Sequence, residues 1–295
     1  MAEPLRVAVR RGAILECVHE VHAVAVRDGE VVAAAGDPSL VTSLRSSAKP
    51  LQALPVARAY ESLDDEQLAI AAASHFGTPV HVAAVRSLLA ATGGSEEELD
   101  CGLQEGRAPE PVFHNCSGKH AGMLAVCRAN GWPVEDYRNP HHPLQRLLLD
   151  EVADAAELDP GEIATGLDGC GVVAFGLPLE RAAGAFSRLD RLDGGTRIAT
   201  VMRANPVLVG GEGATDTELM RANPDWLAKA GAEGLMCVAS PEGTGLAVKV
   251  RDGNGRALRP ALAAFGGPLG LALPQFAEVS LPNMHGEPAA TVFAL

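Results

Sequence analysis

Val24-Ala25-Val26-Arg27-Asp28-Gly29-Glu30-Val31-Val32-Ala33 reads as two strands joined by a two-residue turn. Its flanks are rich in β-branched residues, and an Asp-Gly pair suits the positive φ that a type I′ turn needs at both central positions. A second, earlier strand pair is predicted around Arg11-Gly12, so residues 5–35 read as antiparallel strands. Strand character returns near the other end, in Gly234-Leu235-Met236-Cys237-Val238 and in Gly245-Leu246-Ala247-Val248-Lys249-Val250, followed by a turn at Asp252-Gly253-Asn254-Gly255. Between them the spacing is helical over residues 46–60, 64–74, 79–92, 118–130, 142–157 and 178–189. Pro55 should kink or split the first of these. Thr215-Asp216-Thr217-Glu218, ahead of Leu219-Met220, predicts a capping box and a helix start.

Strands segregated at the two ends of a chain predict an α+β fold rather than βαβ alternation. We expect the terminal strand groups to join in one antiparallel sheet with helices packed around it. The expected organisation is a single domain over residues 1–295, with strands near 5–35 and 234–295 and a mainly helical middle over 46–230. The Gly/Pro-rich stretch near 264–274 reads as a loop, not a boundary.

The balance of 37 acidic against 24 basic residues gives a net charge of −13. That argues against a nucleic-acid partner, which calls for a basic face, and against docking on an anionic membrane. No run approaches the ~20 apolar residues that span a bilayer. The start, MAEPLRVAVRR, carries no signal-peptide pattern, so a cytoplasmic location is expected. Six cysteines are scattered along the chain, at Cys17, Cys101, Cys116, Cys127, Cys170 and Cys237. In a long chain read as cytoplasmic they are expected to be reduced, in core, metal or catalytic roles.

Several segments carry chemistry. In Arg45-Ser46-Ser47-Ala48-Lys49-Pro50, Ser46 and Lys49 are three apart and share a face at a helix start. A lysine whose pKa is lowered by burial or a neighbouring cation can take the serine proton, the Ser-x-x-Lys arrangement of penicillin-recognising acyl enzymes. The bland alternative is an N-cap serine and a surface lysine. Ala73-Ser74-His75 offers a second hydroxyl and a histidine, either of which also suits a plain helix terminus. His114-Asn115-Cys116-Ser117-Gly118-Lys119-His120 is a dense polar cluster ahead of a helix. It lacks the full phosphate-loop pattern, and a metal site built on Cys116 with a neighbouring His or neutral Lys suits it better. Asp168-Gly169-Cys170-Gly171 is a tight turn, and Cys170 and Cys116 can meet at one zinc or simply be two buried thiols. Lys249 alternates with its valine neighbours and is either a solvated edge lysine or one that points into the site.

Together these segments resemble the L-asparaginase II family, the zinc-containing, serine β-lactamase-like asparaginases. The likeness runs in order through Ser46-Ser47-Ala48-Lys49-Pro50-Leu51-Gln52, Ala73-Ser74-His75, Cys116-Ser117-Gly118-Lys119-His120, Asp168-Gly169-Cys170-Gly171, Met202-Arg203, Val209-Gly210-Gly211-Glu212-Gly213, Asp216-Thr217-Glu218, Glu233-Gly234 and Lys249. It departs at Ser43-Leu44, where relatives often have an aromatic residue and Pro. The resemblance implies a serine β-lactamase-like fold and hydrolysis of L-asparagine to L-aspartate and ammonia. It implies two Ser–Lys tandems, Ser46 with Lys49 and Ser74 with Lys249, with Ser46 as nucleophile or, alternatively, Ser74. It implies zinc held by Cys116, Lys119 and Cys170, with Arg45, His120 and Asp168 lining the pocket, and a homodimer. Two other readings stay open: a β-lactamase-like amidase acting on another amide, and a non-catalytic metal-binding relative.

Overall fold

In the computed structural model, which describes residues 2–295 and leaves Met1 outside, β1 (Leu5–Arg11) turns at Gly12 into β2 (Ile14–Arg27). β2 turns at Asp28-Gly29 into β3 (Glu30–Ala35), and both turn residues have positive φ, 51° and 81°. The chain continues through β4 (Val41–Ser43) and a 3-10 turn at Arg45–Ala48 into α1 (Lys49–Gln52), α2 (Leu54–Ala59), α3 (Asp65–Ala71) and α4 (Pro79–Ala91). Then come α5 (Ser117–Ala129), α6 (Pro143–Ala156), β5 (Ala164–Leu167), β6 (Val173–Pro178) and α7 (Leu179–Arg188). α8 (Gly195–Ala204), α9 (Pro206–Gly210) and α10 (Thr215–Ala222) lead into β7 (Leu227–Ala230), β8 (Leu235–Ala239) and β9 (Thr244–Val250). α11 (Leu258–Gly266), β10 (Glu278–Pro282) and β11 (Pro288–Ala294) end the fold.

The strands from the two chain ends form one antiparallel sheet in the order β10-β11-β1-β2-β9-β8-β7, with β3 also paired to β2. β2 is 14 residues long, which lets it hold β1 with its first half and both β9 and β3 with its second. This is the expected α+β architecture. Helix α7 packs on one face of the sheet and α11 on the other. Gly245 allows the first contact, because a Cβ there would stand 1.8 Å from Ala183 O in α7. Gly245, Ala247 and Lys249 therefore face α7, and by register so do Cys237 and Lys229.

The first helical segment divides at Ala53, as expected for Pro55, which has no N–H to give and whose ring crowds the carbonyl four residues back. Helix α3 is closed by a capping box between Asp64 and Gln67. Helix α10 starts where expected but without its predicted box. Its N-cap is Ala214, with no side-chain cap. Thr215 Oγ1 instead accepts from Arg259, and the Asp216 carboxylate turns to Lys229. The helical middle also departs from expectation in detail. Strand β7 lies inside it, and β4, β6 and β5 form a separate three-stranded sheet. α11 occupies part of the stretch expected to be a loop.

Candidate active site

The 3-10 turn Arg45–Ala48 places Ser46 and delivers Lys49 to the first position of α1. Arg45 itself has φ +47°, an uncommon backbone conformation for a residue with a side chain. The turn is held against the edge strand β7. Ser47 Oγ donates to Lys229 O at 2.9 Å, and at Gly231 a Cβ would stand 2.8 Å from Leu44 O and 3.0 Å from Ser47 Oγ. A bare glycine lets the sheet edge close on the turn.

Lys49 is wholly buried. Its Nζ lies 2.6 Å from Ala73 O, 3.2 Å from Asn115 O and 2.9 Å from Ser74 Oγ. A neutral amine has two N–H groups and one lone pair. The two carbonyls can only accept, so they take the N–H groups and leave the lone pair facing the Ser74 hydroxyl. Burial lowers the Lys49 pKa to about 8, and the nearby charges of Lys119 and Lys229 act in the same direction against Cys116 and Cys170. Ser46 is half-buried, three residues ahead of Lys49. The direct contact of Lys49, however, is with Ser74.

Lys249, expected beside Ser74, is placed elsewhere. It pairs across the sheet with Leu235, and its amine donates to Glu233 O at 2.7 Å and Val250 O at 2.5 Å. Lys229 is the lysine of the sheet that approaches the serine-bearing turn. Fully buried in the edge strand, its Nζ donates to Asp216 Oδ2 at 3.1 Å and Ala230 O at 3.0 Å. Lys229, not Lys249, is thus the sheet lysine whose charge helps to lower the Lys49 pKa. Sequence reasoning missed it because Leu227-Ala228-Lys229-Ala230 reads as helix. The available signal was a lysine two residues ahead of Gly231, with the acidic Asp216 upstream.

The residues expected to hold a metal do meet. The Cys116 and Cys170 thiols share a hydrogen bond, and Lys119 Nζ lies 3.1 Å from Cys170 Sγ and 3.6 Å from Asp168 Oδ2. Two glycines permit this. A Cβ on Gly118 would stand 2.1 Å from Ile70 O, so α5 lies tight on α3, and Gly171, at φ +84°, closes the turn that presents Cys170. The hydrogen bond from Cys170, joined by Lys49 and Lys119, holds the Cys116 thiol far below its ordinary value. The same bond, with burial, pushes Cys170 up. Burial alone would lower Lys119, but Cys116, Cys170 and Asp168 raise it. Asp168 is raised by burial, but Lys119 and Arg45, whose Nε donates to Asp168 Oδ1 at 2.6 Å, bring it below its ordinary value.

Among the described residues no three His, Cys, Asp or Glu side chains gather as metal ligands. Here the third donor is an amine. Two thiols and a lysine nitrogen can act as metal donors only once Lys119 and the thiols give up their protons.

His120, next along α5, is buried, and its Nδ1 lies 2.6 Å from Tyr137 Oη, which accepts from Asp100 N. His120 Nε2, on the other side of the ring, is buried with no hydrogen-bond partner among the described residues. His75 is structural. Its Nε2 bonds Ser117 Oγ at 2.9 Å and its Nδ1 accepts from Gly77 N.

The family model described as L-asparaginase II matches residues 7–291. Curated proteins give no match. Among solved structures, the chain is similar to a beta-lactamase from Mycobacterium bovis, with 17% identity over 83% of this chain and 94% of that one and a TM-score of 0.46. It is also similar to Mglu in its native form in the presence of 4.3 M NaCl, with 13% identity over 86% of this chain and 62% of that one and a TM-score of 0.51. The second likeness is one of fold. Among the described residues no helix is long and apolar enough to cross a membrane.

Proposed function

The chain belongs to the L-asparaginase II family, and on that premise we propose that it hydrolyses L-asparagine to L-aspartate and ammonia through an ester on a serine that Lys49 deprotonates. Membership makes it an amide hydrolase with a small-molecule substrate. The observation that carries the rest is the buried Lys49 amine, 2.9 Å from Ser74 Oγ and held by two carbonyls, so that once it is neutral its lone pair faces that hydroxyl. In this reading Lys49 takes the Ser74 proton as Oγ attacks the side-chain amide carbon. The same proton passes to the departing nitrogen, and ammonia leaves. Water then attacks the β-aspartyl ester with Lys49 again as base. Backbone N–H groups of the Arg45–Ala48 turn are proposed to hold the oxyanion. Arg45 and Asp168, one charge of each sign, are proposed to meet the α-carboxylate and α-ammonium. Cys116, Lys119 and Cys170 are proposed to hold zinc, which when bound adds positive charge beside the substrate.

A second reading puts the ester on Ser46, favoured by its half-exposed position in the turn that leads into Lys49. The test is ammonia release from L-asparagine, with L-glutamine and a chromogenic β-lactam in parallel. Ser74→Ala and Ser46→Ala are compared, and the ester is located by mass spectrometry of quenched enzyme. Loss of the ester in Ser74→Ala with its retention in Ser46→Ala supports the first reading, and the reverse supports the second. Turnover surviving in both variants, or no release from L-asparagine by folded, zinc-supplied protein, overturns the proposal.

A further inference from the structure

Two residues past Ser74, a phenylalanine stands at the surface beside the site. Along Ser74-His75-Phe76 burial alternates: Ser74 is half-buried, His75 is fully buried and Phe76 is 47% exposed. Ser74 and Phe76 thus open on the side away from His75. Among the described residues Phe76 is the only Phe, Tyr or Trp left exposed.

Backbone bonds hold this segment in place. Ser74 N donates to Val209 O at 2.8 Å, and Arg107 Nη1 donates to His75 O at 3.0 Å and to Phe113 O at 2.8 Å. The Phe76 ring lies on the turn that ends α9. A Cβ on Gly211, which has φ +105°, would stand 2.5 Å from Phe76 Cδ2 and 2.6 Å from its Cγ, so a bare glycine is needed to seat the ring. Ser74 beside Val209 and Phe76 beside Gly211 run in step, two residues apart on each segment. The ring therefore forms a fixed apolar wall next to the Ser74 hydroxyl, itself 2.9 Å from Lys49 Nζ.

We propose that Phe76 is a specificity-determining residue, and that it makes L-aspartate β-amides with an aromatic group on the amide nitrogen substrates of this site. This rests on the reading above in which Ser74 carries the ester. Arg45 and Asp168, proposed for the α-groups, lie toward Lys119 and Cys170, whereas Phe76 lies toward the end of α9. An acyl group held at Arg45 and Asp168, with its carbon on Ser74 Oγ, turns its amide nitrogen toward Phe76. L-Asparagine carries only hydrogens on that nitrogen and leaves the ring in water. A phenyl substituent packs on the free half of the ring, and both withdraw apolar surface from solvent. The chemistry is that of the simple amide. The Ser74 Oγ–C bond forms and the C–N bond breaks. The Ser74 proton passes through Lys49 to the nitrogen, and the arylamine leaves neutral. Water then cleaves the ester to L-aspartate.

The test compares L-aspartic acid β-(4-nitroanilide), followed by release of 4-nitroaniline, with L-asparagine, followed by release of ammonia. The parent should hydrolyse both. Phe76→Ala should lower the ratio of kcat/KM for the anilide to that for L-asparagine about tenfold, the effect of one lost aromatic contact and its buried area. The loss should fall on KM for the anilide, because the contact is made in ground and transition states alike. Phe76→Leu, which keeps bulk without the ring, should lower the ratio too, and Phe76→Tyr should keep it. Circular dichroism checks that each variant is folded. A ratio unchanged in Phe76→Ala and Phe76→Leu, or lost equally in Phe76→Tyr, overturns the proposal. So does a parent that hydrolyses L-asparagine but not the anilide, and either result leaves the asparaginase reading standing. Anilide hydrolysis that falls in Phe76→Ala, with no release from L-asparagine, supports the proposal and overturns that reading. Turnover of neither compound overturns both.

Discussion

Replacing Lys49 with Met removes the proposed base, and its effect on stability can be worked out. Burial takes the amine from 10.5 to about 8. Between those two values the unfolded chain holds a proton that the folded protein does not. Unfolding then takes up a proton, so the folded state gains stability as pH rises through this window. The gap corresponds to about 3 kcal/mol, at ~1.36 kcal/mol per pH unit. Below the window both states are protonated, and the contribution of Lys49 is flat. The measurement is urea unfolding of chelator-treated parent and Lys49→Met across the window. Chelation leaves the charge around Lys49 to the thiols and amines alone. Groups outside the site that titrate in the same range are common to both proteins and cancel in the difference. The parent should gain about 3 kcal/mol relative to Lys49→Met between pH ~8 and ~10.5. Turnover of the parent should rise with pH and level off above about 8, while Lys49→Met is inactive. A stability difference that stays flat with pH would refute the claim that the folded protein holds Lys49 neutral, and with it the assignment of Lys49 as base.

Asp216→Ala should cost about 3–5 kcal/mol by urea unfolding, because it leaves the buried ammonium of Lys229 without its counter-ion; adding Lys229→Met should recover part of the loss. Gly118→Ala should lower stability by about 1–3 kcal/mol in thermal unfolding, since its Cβ would press on Ile70 O and push α5 away from α3. It should also weaken zinc binding, because α5 carries Lys119. Zinc affinity measured by competition with a chromophoric chelator should fall steeply as the solution is made acid, since the Lys119 amine and the thiols must lose protons to bind. Equal affinity at pH ~6 and pH ~8 would count against Lys119 as a ligand.

The large sheet was legible because its signals are local. The Asp28-Gly29 turn, the Gly12 turn and the Val-rich strands each announce themselves within ten residues. The helices from α3 to α7 were readable for the same reason. What escaped was set by partners far along the chain. Leu227-Ala228-Lys229-Ala230 is apolar and Ala-rich enough to be a helix, and only pairing with β8 makes it a strand. Strands β4 and β5 are three and four residues long, too short to show a period of two. The proposed metal ligands Cys116, Lys119 and Cys170 and the Arg45–Asp168 pair were reached through motif order, and the structure brings those residues together. The assignment of Lys249 to Ser74 failed because both sheet lysines lie on the α7 face, and only register separates the one beside the turn from the one at the strand end. Composition held a clue, since the chain has four lysines against 20 arginines.

Three of those four lysines, Lys49, Lys119 and Lys229, are buried, and Lys249 is half-buried. Arginine therefore supplies the cations of the outer surface. Reagents that seek side-chain amines meet almost none on the outside, so lysine isotopically labelled during biosynthesis becomes a probe of the interior. Four lysine side-chain signals, each in a different electrostatic setting, would report separately on the proposed base, the proposed metal ligand, the buried ion pair and the strand end. A titration followed at those four resonances would read the proton inventory of the site directly, with little background from the rest of the molecule.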